Sequence, residues 1–425
     1  MRNNIIIFFI SLLVGLLILF FRVNYENKTG ESKSCWNITE LKEGDSKNFF
    51  DRGLAISQGK QYYAGCENAP IVAFFRPPVY PLFLAFSFLV FGISFKAIII
   101  LQIIVASLCI LFISKITDLL FGKKISITAA VLANFYYPMW NDAMIINSEL
   151  LSMFLGLAAL YYLIKIYTQK NIRITPIIIS GLLAGLASLT RGQFFFYSLL
   201  LIIFIFASTG KNKITGLKYS VYWLASCLIP VVSWSIYAYA SAGIFIFISS
   251  QGALSIWWGW SPLVVLEEQY PIWNNLWDKS FIRDDMIGEY LPVKSTSWFL
   301  NEAYSFIVKY PVDSLKIAYY KLLDSWGFIG VYSDGSLFGK ILKIFKLNWD
   351  LFLAVPGFVF LWKKKSRKVF GVYVLSACII FTAVSILTAG LVRYRIPYLD
   401  PLLIIFASVT VQKIYSNILS RKTKA

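Results

Sequence analysis

GDSKNFFDRGLAISQG (residues 44–59) and, after a polar spacer, FRPPVYPLFLAFSFLVFG (75–92) decide how this chain is read. Asp45 opens a short amphipathic segment. An Arg76-Pro77-Pro78 corner then leads into an apolar helix that ends in Phe-Gly. Immediately upstream lies a first hydrophobic run, residues 4–21, with Arg2 before it. That run is long for the apolar part of a signal peptide and no small-residue cleavage site follows, so it reads as an uncleaved anchor. Residues 22–75 are polar and must lie on one side of the membrane.

Composition sets the class. Of 425 residues, 58% are hydrophobic and only 15% charged, where a soluble domain runs nearer a quarter charged. Several windows reach the length of a bilayer span. The net charge of +18 does not argue for nucleic acid, because the basic residues fall in short runs between apolar segments, as membrane topology demands. The chain has no histidine, which excludes histidine triads, histidine metal sites and histidine acid–base catalysis. Carboxylates, Lys, Tyr and Arg are left for any chemistry. Cys109, Cys227 and Cys378 fall in apolar runs and read as packing residues. Cys35 and Cys66 share the first outer loop, where an oxidising compartment would allow a disulfide; spacing leaves both states open.

Basic clusters orient the rest. Lys115/Lys123/Lys124, Lys170/Arg173, Lys211/Lys213/Lys218, Lys363/Lys364/Lys365/Arg367/Lys368 and Lys413/Arg421/Lys422/Lys424 are placed in the cytoplasm. Spans fitting that rule are 4–21, 97–116, 125–143, 149–168, 175–190, 194–209, 217–240, 347–362, 369–390 and 397–415. The expectation is an all-α polytopic integral membrane protein of about ten transmembrane helices, both termini cytoplasmic, forming a single membrane domain over 1–425. Residues 78–94 are apolar enough to cross, but crossing would misplace the following clusters. They read as an outer-leaflet or re-entrant helix. A first extracytoplasmic loop (22–96) with amphipathic juxtamembrane helices and a long extracytoplasmic segment (241–346) lie on the other side. The second contains an amphipathic stretch, IVKYPVDSLKIAYYKLL (307–323), and tryptophans suited to the bilayer interface.

The Asp45 segment with its Arg-Pro-Pro corner resembles the first outer loop of the C-type (GT-C) membrane glycosyltransferases, which use lipid-linked sugars and include protein mannosyltransferases and aminoarabinose transferases of lipid A. GLLAGLASLTRGQ (181–193) resembles that family's glycine-rich helix ending in Thr-Arg, and LVRYRIPYLDP (391–401) its Arg-Tyr-Arg-x-Pro motif. The resemblance implies that Asp45 is the catalytic base toward the acceptor. Unaided, Gly-Asp-Ser before an amphipathic segment reads sooner as a helix cap than as a site. Asp51 is the competing carboxylate. Glu149, in IINSELLSMF, stands where the family places a second outer acid facing the first, although a helix N-terminus stabilises a carboxylate without any function. Two acids and a phosphate could hold a divalent metal ion; relatives differ, and the metal is left open.

Arg191, Arg393 and Arg395, with Tyr394, are the candidates for gripping donor phosphate, since guanidinium groups bind phosphate oxygens bidentately. The competing reading is arginine reaching to lipid head groups. Arg76 reads as a structural donor to carbonyls at its corner. FISSQGALSIWWGWSP (247–262) resembles a further family segment, with Gln251 a secondary candidate; the family's usual Asn is missing from Gly259-Trp260-Ser261-Pro262, and the tryptophans read as interfacial anchors. Gly181 and Gly185 read as close helix packing.

What the resemblance implies is a glycosyltransferase moving a sugar, with inversion, from a polyprenyl-phosphate donor to a lipid, glycan or protein acceptor at the extracytoplasmic face. Residue usage suggests a bacterial cytoplasmic membrane; in a eukaryote, Asn27-Lys-Thr and Asn37-Ile-Thr would be glycosylation sequons. A lipid-linked glycan flippase would want polar groups buried mid-membrane, and the expected spans are almost free of acids. An O-antigen polymerase or ligase lacks the first-loop motif.

Overall fold

The computed structural model describes residues 2–29, 45–66, 70–169, 172–210, 212–261, 296–328, 337–362 and 367–422. Cys35, the Asn37 sequon, Pro262 and several lysines of the basic clusters (Lys170, Lys211, Lys363 to Lys365, Lys424) lie outside them. Among the described residues every regular element is helical: α1 (Arg2–Thr29), α2 (Asp45–Ser57), α3 (Pro70–Ala73), α4 (Val79–Phe91), α5 (Phe95–Phe121), α6 (Lys123–Asn134), α7 (Tyr137–Ala143), α8 (Glu149–Gln169), α9 (Ile174–Ser188), α10 (Phe194–Leu200), α11 (Ile202–Thr209), α12 (Lys213–Ala242), α13 (Gln251–Gly259), α14 (Thr296–Lys309), α15 (Pro311–Ser325), α16 (Leu337–Trp362), α17 (Lys368–Leu387), a 3₁₀ turn (Val392–Tyr394) and α18 (Asp400–Lys422).

Six helices among the described residues are long and apolar enough to cross a bilayer, within α1, α5, α8, α12, α17 and α18. The chain is a multi-pass membrane protein. The other four expected spans are shorter or broken. The 125–143 run divides at Phe135 and Tyr136 into α6 and α7. Ile174–Ser188, Phe194–Thr209 and Asn348–Phe360 are apolar but short; at 1.5 Å per residue they reach roughly 20–24 Å against about 30 Å of hydrocarbon. Val79–Phe91, read as an element that does not cross, is shorter still than most of these, about 20 Å. α1 also runs well past the expected end of the first span, to Thr29.

The main core is drawn from α5, α8, α9, α17 and α18, with Trp140, Trp223, Phe204 and Phe406 buried at its centre. The small-residue reading of α9 holds. A Cβ on Gly185 would collide with the Cys227 carbonyl oxygen of α12, so the two backbones approach as closely as glycine permits. Cys109 and Cys227 are fully buried, as packing residues would be.

The 307–323 stretch is two-faced in the structure as well. Ser314, Ile317, Lys321 and Ser325 of α15 are buried against protein, and only the opposite face, with Val312, Leu315 and Tyr319, is exposed. Trp257 and Trp260 likewise pack inside the protein rather than anchoring an interface: Trp257 against Phe299, and Trp260 with its indole N–H donating to the Leu387 carbonyl.

Candidate active site

Asp45 is the first residue of α2, where the positive end of the helix dipole favours an anion. The helix is seated by Phe49 and Phe50, whose rings pack edge-on to Tyr80 and Phe88, with Phe50 stacked on Phe95. Next to the acid, the Ser46 hydroxyl donates to the Ile146 carbonyl at 2.9 Å, which ties the start of α2 to the turn leading into Glu149. Both Asp45 oxygens are spent on tertiary pairing rather than on capping. Oδ1 accepts from Arg76 Nη2, and Oδ2 from Arg393 Nη2 at 3.0 Å. Burial pushes this carboxyl up, but Arg76, Arg393 and Arg191 outweigh it and hold it below its ordinary value.

Arg76 is thus a member of the site and not a donor to corner carbonyls. Its Nη1 donates to Gln251 Oε1 at 3.0 Å, and its guanidinium lies over the Phe49 ring. The corner itself is held by the Tyr62 hydroxyl, which donates to the Arg76 carbonyl at 2.7 Å. Gln251, a secondary candidate from sequence, therefore meets the acid's partner.

Glu149 opens α8, fully buried and ion-paired with Arg191 Nη1. The turn before it is pinned by Gln102 of α5, whose Nε2 donates to the Ala143 and Ile145 carbonyls while its Oε1 accepts from the Tyr80 hydroxyl. Arg191 is set by the end of α9, where the Leu189 carbonyl accepts from Val79 N at the start of α4. Burial pulls the Arg191 guanidinium down, and Glu149 more than restores it. Tyr394 joins the halves. Its ring meets two guanidinium groups, 5.3 Å from Arg191 and 5.6 Å from Arg393. Cation–π pairing of this kind holds two like charges at a fixed spacing. Ion pairing and ring contacts, rather than reach to lipid head groups, account for these arginines.

Arg395 points the other way. It is 1% exposed, its Nε lies 2.5 Å from Asp400 Oδ1 and its Nη2 3.7 Å from Asp350 Oδ1. Its Nη1 donates to Asn348 Oδ1 at 2.6 Å and to the Trp326 carbonyl at 3.1 Å. Asn348 sits at the break in α16 and donates in turn to the Gly327 carbonyl, while the Tyr136 hydroxyl donates to Asp400 Oδ2. Engaged on every arm, Arg395 anchors the turn that presents Arg393 and Tyr394; the expectation that it grips donor phosphate is corrected. Asp51 pairs with Lys47 at 2.6 Å, about 240° round α2 from Asp45.

Asp142 of α7 was missed by the sequence reading. It is 5% exposed and sits among Glu149, Arg191 and Arg393. Its signal was available: an acid inside a run taken for a span is rare enough to mark a site. With Asp350 and Asp400, it also corrects the view that the expected spans are nearly free of acids. The Asp45 and Glu149 carboxylates of the cluster are paired with arginines. Among the described residues no three His, Cys, Asp or Glu side chains gather as ligands. Cys66 Sγ accepts from Arg52 Nη2 at 3.7 Å; Cys35, with which a disulfide was left open, lies outside the described residues.

Comparison with known proteins meets this geometry. A family model described as dolichyl-phosphate-mannose-protein mannosyltransferase matches residues 75–237, the part of the chain that supplies Arg76, Glu149 and Arg191. No curated protein sequence matches the chain. Among solved structures, the oligosaccharyltransferase AglB of Archaeoglobus fulgidus, in complex with an inhibitory peptide and a dolichol-phosphate, superposes with a TM-score of 0.58 at 13% identity, covering 99% of this chain and 51% of that one. The same organism's oligosaccharyltransferase in the apo form gives 0.58 at 14% identity over 99% and 52%. Its complex with Zn and sulfate gives 0.56 at 12% identity over 98% and 50%. The chain thus spans about half the length of the structures it matches and carries their polytopic GT-C fold. The family model and the fold both agree with a GT-C type glycosyltransferase; the family match includes the Arg-Pro-Pro corner and the Thr-Arg segment, while residues 44–59 and 391–401 lie outside it.

Proposed function

We propose that this protein is a membrane glycosyltransferase that moves a sugar from a polyprenyl-phosphate carrier to an acceptor hydroxyl at the extracytoplasmic face. The observation that supports it is a single carboxylate, Asp45, at a helix start and shared between Arg76 and Arg393, with a third arginine, Arg191, on the same Tyr394 ring as Arg393. A donor phosphate entering beside Arg393 competes with Asp45 Oδ2 for that guanidinium. Losing one positive neighbour makes the carboxylate more basic at the moment an acceptor hydroxyl needs to lose a proton.

The acceptor oxygen then bonds to the anomeric carbon and its proton passes to Asp45. The bond from that carbon to phosphate oxygen breaks, and the electron pair stays on the phosphate. Arg393 and Arg191 stabilise that charge. Attack opposite the leaving group inverts the anomeric centre. Glu149 fixes Arg191, and Arg76 keeps Asp45 oriented after Arg393 turns to the donor. General-base assistance of this kind contributes about 10²–10⁴ in rate.

The test is release of polyprenyl phosphate from radiolabelled polyprenyl-phosphate sugars by purified protein in detergent, supplied with a membrane and envelope extract as the source of acceptor hydroxyls, beside Asp45→Asn. Release by the wild type and its loss in a folded variant is the expected result. Equal release by both removes Asp45 from the chemistry. A flippase would consume no donor in detergent, so absence of release with every donor overturns the enzyme reading.

A further inference from the structure

Lys321 is a lysine with no exposed surface, in a helix that the proposed chemistry does not use. Its Nζ donates to the Ile386 carbonyl at 3.1 Å and lies 3.9 Å from the centre of the Trp260 ring. Trp260 donates to the next carbonyl, Leu387, at 3.1 Å. Between them the two side chains occupy adjacent carbonyls at the C-terminal end of α17, groups that a helix end leaves without intrahelical partners.

Two glycines make room for this arrangement. A Cβ on Gly259 would stand 2.8 Å from Lys321 Nζ, and one on Gly390 would stand 2.7 Å from Lys321 Cβ. Gly390 also has φ of 69°, a left-handed turn that glycine adopts without strain. The lysine stem therefore rests on the residue where the chain leaves α17 and turns toward Val392–Tyr394. Burial brings the Lys321 amine down to about 6, so at neutral pH it is an uncharged donor. Burying an ionisable side chain costs free energy unless it is hydrogen-bonded, and the Ile386 carbonyl supplies that bond.

We propose that Lys321, together with Trp260, is a positioning residue for Arg393: by holding the Ile386 and Leu387 carbonyls and the Gly390 turn, it sets where Arg393 meets Asp45. Arg393 is then clamped from both sides, upstream by Lys321 and Trp260 and downstream by Arg395. As a statement about catalysis this rests on the glycosyl-transfer reading; as a statement about geometry it does not.

The experiment follows modification of Arg393 by phenylglyoxal, read by peptide mass spectrometry on detergent-solubilised protein, in parallel with donor turnover. Lys321→Met removes the donor and keeps the volume. Lys321→Gln keeps an uncharged N–H donor. Trp260→Phe removes the second carbonyl clasp and keeps an aromatic ring beside the lysine. The expected result is a severalfold faster modification of Arg393 in Lys321→Met and Trp260→Phe, with Lys321→Gln close to wild type. In turnover, the same two variants raise the donor KM and leave the acceptor KM alone, a split that loss of folded protein does not produce. Should Lys321→Met fail to fold, Trp260→Phe and Lys321→Gln still decide the matter. Wild-type modification rates in Lys321→Met and Trp260→Phe overturn the inference. If the modification order holds and no donor is consumed by the wild type, the positioning stands and only the transferase reading falls.

Discussion

Replacing Arg395 by Met separates anchor from reagent. The side chain is 1% exposed and faces Asp400 at 2.5 Å and Asp350 at 3.7 Å, so its loss strands buried carboxylates. Breaking a buried pair from one side costs about 3–5 kcal/mol. A stranded carboxylate escapes by taking a proton, which at neutral pH costs about 1.4 kcal/mol for each of roughly three pH units and caps the penalty near 4 kcal/mol per acid. Asn348 and the Trp326 carbonyl also lose a donor, about 1 kcal/mol each. The sum is about 5–6 kcal/mol, and at about 2 °C per kcal/mol for a long chain the thermal midpoint falls by about 10 °C. Arg393→Met removes a pair whose partners are 43% and 34% exposed, worth under about 1 kcal/mol. Its midpoint should stay within about 2 °C, while donor turnover collapses. Tryptophan-fluorescence melts in one detergent, with Asp400→Asn added to Arg395→Met to recover about half the loss, read all of this out. Equal melts for Arg395→Met and wild type would refute the reasoning, as would an Arg393→Met variant that melts as early as Arg395→Met.

Other outcomes follow from the same geometry. Asp45→Asn should lower donor turnover by about 10²–10⁴ with little change in melting, since Asp45 is a third exposed; retained turnover shifts the role to another acid. Lys321 ordinarily titrates at 10.5 and is brought to about 6 in the fold. The unfolded chain therefore binds a proton that the folded chain does not across that window, and stability is lost as pH falls from 10.5 towards 6, about 1.4 kcal/mol per unit. Lys321→Met should lose that slope, visible as a gap in melting midpoint that widens between pH 9 and pH 7; parallel curves would refute it. Gly185→Ala should destabilise by about 1–3 kcal/mol through overpacking, because its Cβ has no room beside Cys227 and Pro230; an unchanged melt would show that α9 and α12 can part freely.

Much of the site was legible because its members lie in short motifs. Asp45, Arg76, Glu149, Arg191, Arg393 and Tyr394 were each marked by local pattern, and all meet in one cluster. What the motifs could not convey was pairing. Arg76 and Gln251 are 175 residues apart and Asp45 and Arg393 are 348 apart, and no local pattern distinguishes Arg393 from Arg395 two residues later. Lys321 was hidden for the same reason, since an amphipathic stretch looks alike whether its polar face meets water or a helix end. Six of the ten expected spans are single long apolar helices, and the other four are shorter or interrupted. A hydropathy window over 125–143 does not weigh Pro138, whose place in the first turn of α7 follows the stop at Phe135, and one over 347–362 cannot register the Asn348 break, which is held by contacts to Arg395 and Gly327. Asp142 was within reach, and was passed over by treating its run as a plain span.

The Arg-Tyr-Arg turn bears on how this motif could travel between proteins. Its first arginine faces the carboxylate at the start of α2, and its second is plugged into a socket made by Asn348, Asp350 and Asp400. Those three residues come from two helices outside the tripeptide. A graft of LVRYRIP onto another scaffold would therefore transfer the hand without the wrist, and domain-exchange chimeras of this protein should be cut so that α16 and the start of α18 move with the turn as one cassette.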